Sequence, residues 1–368
     1  MRPKDQYAEV EPAVVLAEAW DVQAPSAVWI DDRSFTGKAI ARLDAATGPL
    51  CLRRLPPGTS PAWLEATHAA VAVLERRGFD LFPHVLPTDL GETVVRHSGQ
   101  HYDLASWAPG EVLGGEDLSS EHLTNLGAAI ARLHRAGAGA TGRGVPSAPR
   151  FDWLNERQRL TQRLAWDPLA RGKNPWQKVE NLAAFFDGLD AGRLGESDGT
   201  SQLAWDARGV EDVALAALRW LDRVGSSIAE LSSDSPTLTH GDLWSDHVRF
   251  SGSDVTALID PDTLAVRPPL GDLAALCADF GQWDAARCAA ILAGYRRHRP
   301  VRRAAVAALP RLGALRTLGV LRERLQEWLA AVGRGEPGAA LRGPIGYWCG
   351  QLRTLSTIEP AEFGALAV

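Results

Sequence analysis

The chain is short of several features that would place it in common classes. Four of its 368 residues are cysteine. Cys51, Cys277, Cys288 and Cys349 show no Cys-x-x-Cys spacing and each lies in an apolar context, so buried reduced thiols are expected rather than a disulfide framework or a zinc site. Positive charge is in deficit: 39 Lys and Arg against 45 Asp and Glu leave a net charge of −6. That balance carries no polyanion footprint and argues against nucleic acid as a partner. No apolar run reaches the length needed to cross a bilayer, and the first residues, MRPKDQYAEVEPAVVLAEAW, turn acidic where an export signal becomes apolar. A cytoplasmic protein without a membrane partner is the expectation. The arginine run from Tyr295 to Arg303 reads as a solvated helix end. Thirteen tryptophans accompany a single methionine, which fits an aromatic core and pocket walls.

The order of periodicities predicts an α+β chain in two parts. From Pro25 to Trp107 the pattern is mainly strands: Ser26 to Ile30, Ala39 to Leu43 and Leu50 to Leu55, with Ala46-Thr47-Gly48-Pro49 as a connection. Pro61 to Arg77 reads as a helix, with Ser60 as N-cap, Pro61 at the first position and Gly78 as terminator. Thr93 to His97 and His101 to Trp107 form a hairpin across Ser98-Gly99-Gln100. Beyond the break at Pro109-Gly110, apolar residues recur every three and four positions. Leu123, Leu126, Ile130 and Leu133 put an amphipathic helix over Ser119 to Ala136. Phe151 to Leu164, Pro175 to Leu189 and Val210 to Leu231 are further helical segments, and the chain from Leu273 onward is almost wholly helical in pattern.

One β island interrupts the helical part. Val248 to Phe250 and Val255 to Ile259 flank Ser251-Gly-Ser-Asp254, and a two-residue turn at Gly252-Ser253 suits a Gly-first type II′ hairpin. Facing residue numbers then sum to 505, so Asp260 returns beside the loop that holds Asp242. His240, Asp246, His247 and Asp262 lie close by. A pair of carboxylates on a rigid hairpin can place magnesium with one member and orient a hydroxyl with the other, and phosphoryl transfer needs both. Gly241 gives the loop backbone angles that residues with a β-carbon resist.

The segment HGDLWSDHVRF, followed by ALIDPD and GDLAAL, resembles the aminoglycoside phosphotransferase and choline kinase family, distant relatives of the protein kinases. GPLCLRRL, LERRGF, FPHVLPTDLGETVV, HYDLASWAPGE and LGAAIARLH follow that family's order, so the resemblance covers most of residues 25 to 280. It implies a bilobal protein-kinase-like fold: a small antiparallel-sheet N-lobe at 1–108 and a larger, mainly helical C-lobe at 109–368. The C-lobe would hold the catalytic loop at 239–262 and an acceptor-binding helical insertion at about 150–235, where Trp153, Trp176 and Trp205 fall. By the same resemblance Asp242 is the base that receives or orients the substrate hydroxyl, and His240 is its neighbour in the loop. Asp260 holds magnesium against the phosphates of ATP. Asp272 braces the loop, with an N-cap for a helix starting at Leu273 as its other role. The loop Asp31 to Lys38 stands where a phosphate-covering turn belongs, with backbone amides around Ser34 to Gly37 facing the phosphates. Asp103 to Trp107, Ser106 included, forms the hinge that presents backbone groups to adenine.

Three positions depart from the family pattern. His247 stands where asparagine normally supplies a second metal ligand, and oxygen is the ligand magnesium prefers, so a loop-bracing hydrogen bond competes with metal binding there. Arg53, or Arg54, stands where the family's third strand offers a lysine to the nucleotide's phosphates, which an arginine can also grip, and alternation along the strand favours Arg53. Its helix partner falls near Thr67 or His68 by position, while Glu65 is electrostatically better. The leading reading is an ATP- and Mg-dependent kinase acting on a small-molecule hydroxyl acceptor, a metabolite or an aminoglycoside-like compound. A pseudokinase scaffold is the alternative, and a metal-dependent hydrolase built on His240, Asp242, His247 and Asp260 is a third reading.

Overall fold

The computed structural model describes residues 11–23, 27–30, 38–46, 48–56, 58–140, 216–217, 220, 235–333 and 342–367. The expected loop from Asp31 to Gly37, the helical segments Phe151 to Leu164 and Pro175 to Leu189, and Trp153, Trp176 and Trp205 lie outside the described residues, and of Val210 to Leu231 only Ala216, Ala217 and Trp220 are described, all helical. By chain contacts the protein divides into two compact units, one of residues 1–148, 235–272 and 293–300, the other of 149–234, 273–292 and 301–368.

The first unit opens with a helix that sequence patterning did not anticipate, α1 (Pro12–Trp20). Its Val15, Leu16 and Trp20 are buried in the sheet's core cluster with Leu43, Leu52, Tyr102 and Leu104, and the Trp20 indole N–H donates to the Leu86 carbonyl at 3.0 Å. Five strands come next, in the antiparallel order β1-β2-β3-β5-β4: β1 (Val28–Ile30), β2 (Ala39–Ala45), β3 (Gly48–Arg54), β4 (Val95–His97) and β5 (Gln100–Ser106). The predicted connection at residues 46–49 is tighter than expected. Ala45 already faces Gly48, because Gly48 takes φ 116°, which a side chain would resist. At the next hairpin Ser98 and Gly99 both have positive φ, 46° and 82°, the signature of a type I′ turn whose twist matches its strands.

Between β3 and β4 lies α2 (Pro61–Arg76). Its start is capped by Ser60, whose hydroxyl accepts the Trp63 N–H, and its end by Gly78 at φ 79°, as the residue types dictate. Helix α3 (Ser120–Ala136) carries a capping box between Ser119 and His122 and buries the expected Leu123, Leu126, Ile130 and Leu133.

Beyond α3 come β6 (Thr237–Thr239), the hairpin β7 (Val248–Ser251) and β8 (Asp254–Leu258), and β9 (Ala265–Arg267). Strand β6 pairs with β9, a two-stranded ribbon that alternation alone did not reveal. The β7–β8 turn falls at Gly252-Ser253, with Gly252 at φ 57°. The register is corrected by one residue. Phe250 faces Val255 as expected, but a bulge between Arg249 and Phe250 makes Val248 face Leu258. Such a bulge inserts an unpaired residue and turns the strand beyond it.

The remaining helices bear out the helical pattern: α4 (Leu270–Asp279), α5 (Ala285–Arg296), α6 (Arg303–Gly333), α7 (Arg342–Leu355) and α8 (Pro360–Gly364). In the second unit Asp279 takes a salt bridge from Arg316 and a hydrogen bond from the Tyr347 hydroxyl, each at 3.0 Å. Trp283 packs on Phe363 with ring centres 5.9 Å apart. The stretch Arg303–Leu321 is long and apolar enough to cross a membrane by length and composition, which corrects the expectation of no such run, but most of it is buried inside the protein. Burial of that kind is what a core helix shows. Among the cysteines, all free, Cys277, Cys288 and Cys349 are buried and Cys51 is half-buried.

Leu52 on β3 is fully buried in the sheet core. Truncation Leu52→Ala should therefore cost about 2–5 kcal/mol, read as a lower denaturant midpoint at unchanged slope.

Candidate active site

The site grows from the segment between β6 and α4. After Thr239 the chain leaves the ribbon and enters the turn His240-Gly241-Asp242, which the carboxylate of Asp272 holds from below. One Asp272 oxygen accepts the His240 N–H at 2.8 Å and the other the Gly241 N–H at 2.9 Å. The first also lies 3.0 Å from His134 Nε2, whose Nδ1 meets the Tyr295 hydroxyl at 2.8 Å. Asp272 is buried, and burial alone would raise its pKa, yet the hydrogen bond and charge of His134, with His240 and the Gly241 amide, hold it below the usual carboxylate range. The bracing role expected for Asp272 is what the geometry shows. The capping role is not, because α4 begins two residues earlier, at Leu270, and places Asp272 in its first turn.

Gly241 has φ 85°, and a β-carbon there would run into the Arg267 guanidinium and crowd the Thr263 carbonyl. The His240 ring is buried and donates from Nε2 to the Ile259 carbonyl at 2.9 Å, while Nδ1 accepts the Asp242 N–H at 3.4 Å. Burial is the main force that lowers its pKa, so the imidazole is a neutral strut between loop and hairpin.

His247 closes the loop from the other side. Its Nδ1 donates to the Asp242 carbonyl at 2.6 Å and its Nε2 accepts the Trp244 indole N–H at 2.9 Å. The carboxylates of Asp242 and Asp260 flank the same ring, at 3.9 Å from Nδ1 and 3.6 Å from Nε2. The two aspartates do converge, as the hairpin argument required. The Asp242 side chain is about half exposed. Asp260 sits at φ 58° directly before a proline, a backbone setting that costs energy for any residue with a side chain.

Opposite this loop, the sheet supplies charge. Arg53 Nε and Nη2 grip the two oxygens of Asp103 at 2.8 and 2.5 Å, its direct neighbour across β3 and β5. Arg53 Nη1 reaches Asp262 at 3.0 Å and Asp260 at 3.7 Å. Lys38 Nζ bridges Asp260 Oδ1 at 2.6 Å and Asp262 Oδ2 at 2.8 Å. Burial pushes Asp103 and Asp262 up, but Arg53 on both, joined by Lys38 on Asp262, overrides it and holds the two carboxyls low. The Trp63 indole N–H donates to the Asp262 carbonyl at 2.7 Å and so ties α2 to this loop.

These contacts place several of the expected residues. Arg53 faces the cluster, and Arg54 lies over the Trp29 ring at 5.3 Å. The expected pairing of Arg53 with Glu65 is corrected: Glu65 is exposed on α2, and the carboxylate in the grip of Arg53 is Asp103. His68, at the position where the family's helix residue falls, is buried with Nε2 3.3 Å from Asp103. The Ser106 N–H and hydroxyl are both engaged with the backbone of His84, at 2.8 and 2.9 Å, so its carbonyl is what remains for a ligand. Ser34 and Gly37 lie outside the described residues. The sequence placed Lys38 in the phosphate-covering loop and Asp103 in the hinge without a role for either side chain, and gave no sign of Trp63 at the site. A signal existed for Asp103, an aspartate on an apolar strand opposite an arginine, which demands a cross-strand partner.

Known proteins with this architecture define its class first. A spectinomycin phosphotransferase solved with ADP and spectinomycin superposes with a TM-score of 0.63 at 11% identity, covering 95% of this chain and 97% of that one. An aminoglycoside phosphotransferase from Alicyclobacillus acidocaldarius gives 0.59 at 16% identity, covering 99% and 98%. The fold is thus the α+β, protein-kinase-like fold of these phosphotransferases. The model of the phosphotransferase enzyme family matches residues 32–307, and the chain belongs to that family. The homoserine kinase of Methylobacterium radiotolerans is 31% identical over 229 residues, 61% of this chain and 56% of that protein. Across its curated relatives the chain matches between 37% and 64% of their length.

This geometry can be tested at two residues. Asp272→Ala strands three N–H donors in the interior and should lower stability by about 3–5 kcal/mol, measured by denaturant unfolding. Because the folded pKa of His240 is depressed, the unfolded chain takes up that proton first as pH falls. The His240 contribution is full above about pH 6.5 and is lost as pH drops through the folded value. His240→Gln should flatten the slope of stability against pH in that window.

Proposed function

We propose that this protein is an ATP-dependent small-molecule kinase that moves the γ-phosphate to an acceptor hydroxyl. The observation that carries the reading is the convergence of Asp242 and Asp260 on one histidine ring, on a loop whose backbone is fastened by a buried aspartate. Asp242, half exposed on that rigid turn, orients the acceptor hydroxyl and receives its proton. The acceptor oxygen forms its bond to phosphorus as the bond to the ADP oxygen breaks.

The residues fit magnesium. Asp260 and Asp262 already share the positive charges of Lys38 and Arg53 between their oxygens, and hard oxygen donors are what this ion takes. Among the described residues no group of three or more His, Cys, Asp or Glu forms a preformed metal cage. Magnesium is an ion that keeps waters and binds with the substrate's phosphates, whereas a hydrolase site would need the ring nitrogens of His240 and His247, which are engaged in hydrogen bonds. Asp260 would hold the ion with Asp262 beside it, and when bound it would neutralise charge on the phosphate oxygens. His247, with both ring nitrogens in hydrogen bonds, serves as the loop's brace, and its service as a metal ligand would require release of the Trp244 indole.

Among the described residues Lys38 and Arg53 face the carboxylates of Asp103, Asp260 and Asp262, with Asp242 beside them, a balance that favours an acceptor bearing an amine. The homoserine kinase relatives support a small amino alcohol, and homoserine is the first to test. The lobe division at 108/109, an acceptor site drawing on residues about 150–235, and a cytoplasmic location belong to the same proposal. A pseudokinase is favoured by one observation only, the closure of the aspartate pair by Lys38 and Arg53.

Incubation with ATP, magnesium and homoserine or short amino alcohols should yield ADP in proportion to phosphorylated acceptor. Asp242→Asn should retain nucleotide binding and lower kcat by about 10²–10⁴. Nucleotide binding by the parent with no turnover on any hydroxyl acceptor would favour the pseudokinase.

A further inference from the structure

We propose that Lys38, at the head of β2, is the side chain that binds the nucleotide's phosphates, in place of the third-strand arginine. The proposal rests on the kinase reading above.

The cation that would be expected to do this, Arg53, is committed elsewhere. It forms a two-pronged pair with Asp103, and the Asp103 side chain is only 2% exposed. To swing Arg53 toward a ligand would leave a buried carboxylate without its counter-charge, which proteins avoid. Its remaining amino group, Nη1, is spent on Asp262. The planar guanidinium is thereby a fixed piece of the sheet that orients Asp262.

Lys38 is differently placed. Ile40 is the register partner of Arg53 across β2 and β3, and Lys38 stands two residues before it, so strand alternation sends it to the same face of the sheet. Its ammonium arrives from a four-carbon stem, donating a hydrogen bond to Asp260 at 2.6 Å and pairing with Asp262 at 2.8 Å, and both carboxylates, 27% and 19% exposed, are more open to solvent than the 2% exposed Asp103 that holds Arg53. Ammonium donors rotate freely about such a stem, and the head is a compact point charge suited to phosphate oxygens. Lys38 therefore neutralises the aspartate pair. Were a divalent ion held by these carboxylates, like charge would turn Lys38 away from them, and its N–H groups would be free to donate to the nucleotide's polyphosphate. One lysine thus has two alternative partners, and the phosphate-binding charge that Arg53 cannot release comes from the residue that precedes β2.

The two partners give the test opposite signs. With manganese alone as probe, Lys38→Met should bind the ion more tightly than the parent, because the competing ammonium is gone. With a non-hydrolysable ATP analogue plus magnesium, titrated by calorimetry, Lys38→Met should bind at least tenfold more weakly, and Lys38→Arg should recover part of the loss. In turnover the same loss should fall mainly on the KM for ATP. If Lys38→Met binds the analogue as tightly as the parent or better, Lys38 is only a placeholder and the proposal is overturned. If the parent itself binds no nucleotide, the kinase reading fails first, and the proposal falls with it.

Discussion

The site depends on one buried carboxylate. Asp272 accepts the consecutive N–H groups of His240 and Gly241 and faces His134, and this sets the backbone of the turn from which Asp242 projects. Consecutive amides converge on one carboxylate only in a sharply bent chain, and here the bend needs φ 85° at Gly241. His240 then links the turn to the end of β8 through the Ile259 carbonyl, and Thr263 donates to the His240 carbonyl at 2.7 Å. Loop, hairpin and the 261–263 turn thus form one hydrogen-bonded unit, which leaves Asp242 little freedom apart from its own side-chain torsions. Preorganisation of this kind is what positioning-dominated catalysis requires.

A second network, of charge, is laid over this frame. Arg53 and Lys38 are both largely buried, and each would be costly without the aspartates around it. Asp260 and Asp262, two residues apart across Pro261, would repel each other strongly without those cations. On the proposed reading this arrangement is a cation site whose charge the side chains of Lys38 and Arg53 satisfy and a ligand's cation would take over. The strained backbone of Asp260 is consistent with that duty, since strain is stored where function requires a fixed direction.

Much of this was legible in the residues. The caps of α2, the hairpin at Gly252-Ser253 and the approach of Asp260 to Asp242 follow from local rules that tertiary structure did not overturn. What escaped notice involved long-range partners or irregular geometry. The bulge after Arg249 has no compositional mark, so the assumed uniform register was one residue out along half the hairpin. Glu65 looked the better partner for Arg53 by charge and helix position, but helix phase turns it to solvent, whereas the strand register puts Asp103 opposite. Lys38 reads as the last residue of a polar loop, and only the fold shows its reach of more than two hundred residues along the chain to Asp260. Strand β6 is three residues long, too short to mark itself by alternation, and α1 lies in a stretch whose acidic residues mask its apolar face.

Under the proposed function Asp260 and its neighbours form a site for a nucleotide together with a divalent ion. Thermal unfolding of the parent and of Asp260→Asn, with and without a non-hydrolysable ATP analogue and magnesium, tests it most directly. A ligand at a hundred times its Kd stabilises the native state by about 2.7 kcal/mol, enough to move Tm by several degrees. The account predicts that rise in the parent only when analogue and magnesium are both present, and its loss in Asp260→Asn. A parent whose Tm is indifferent to the pair, or a variant that responds as the parent does, would contradict it.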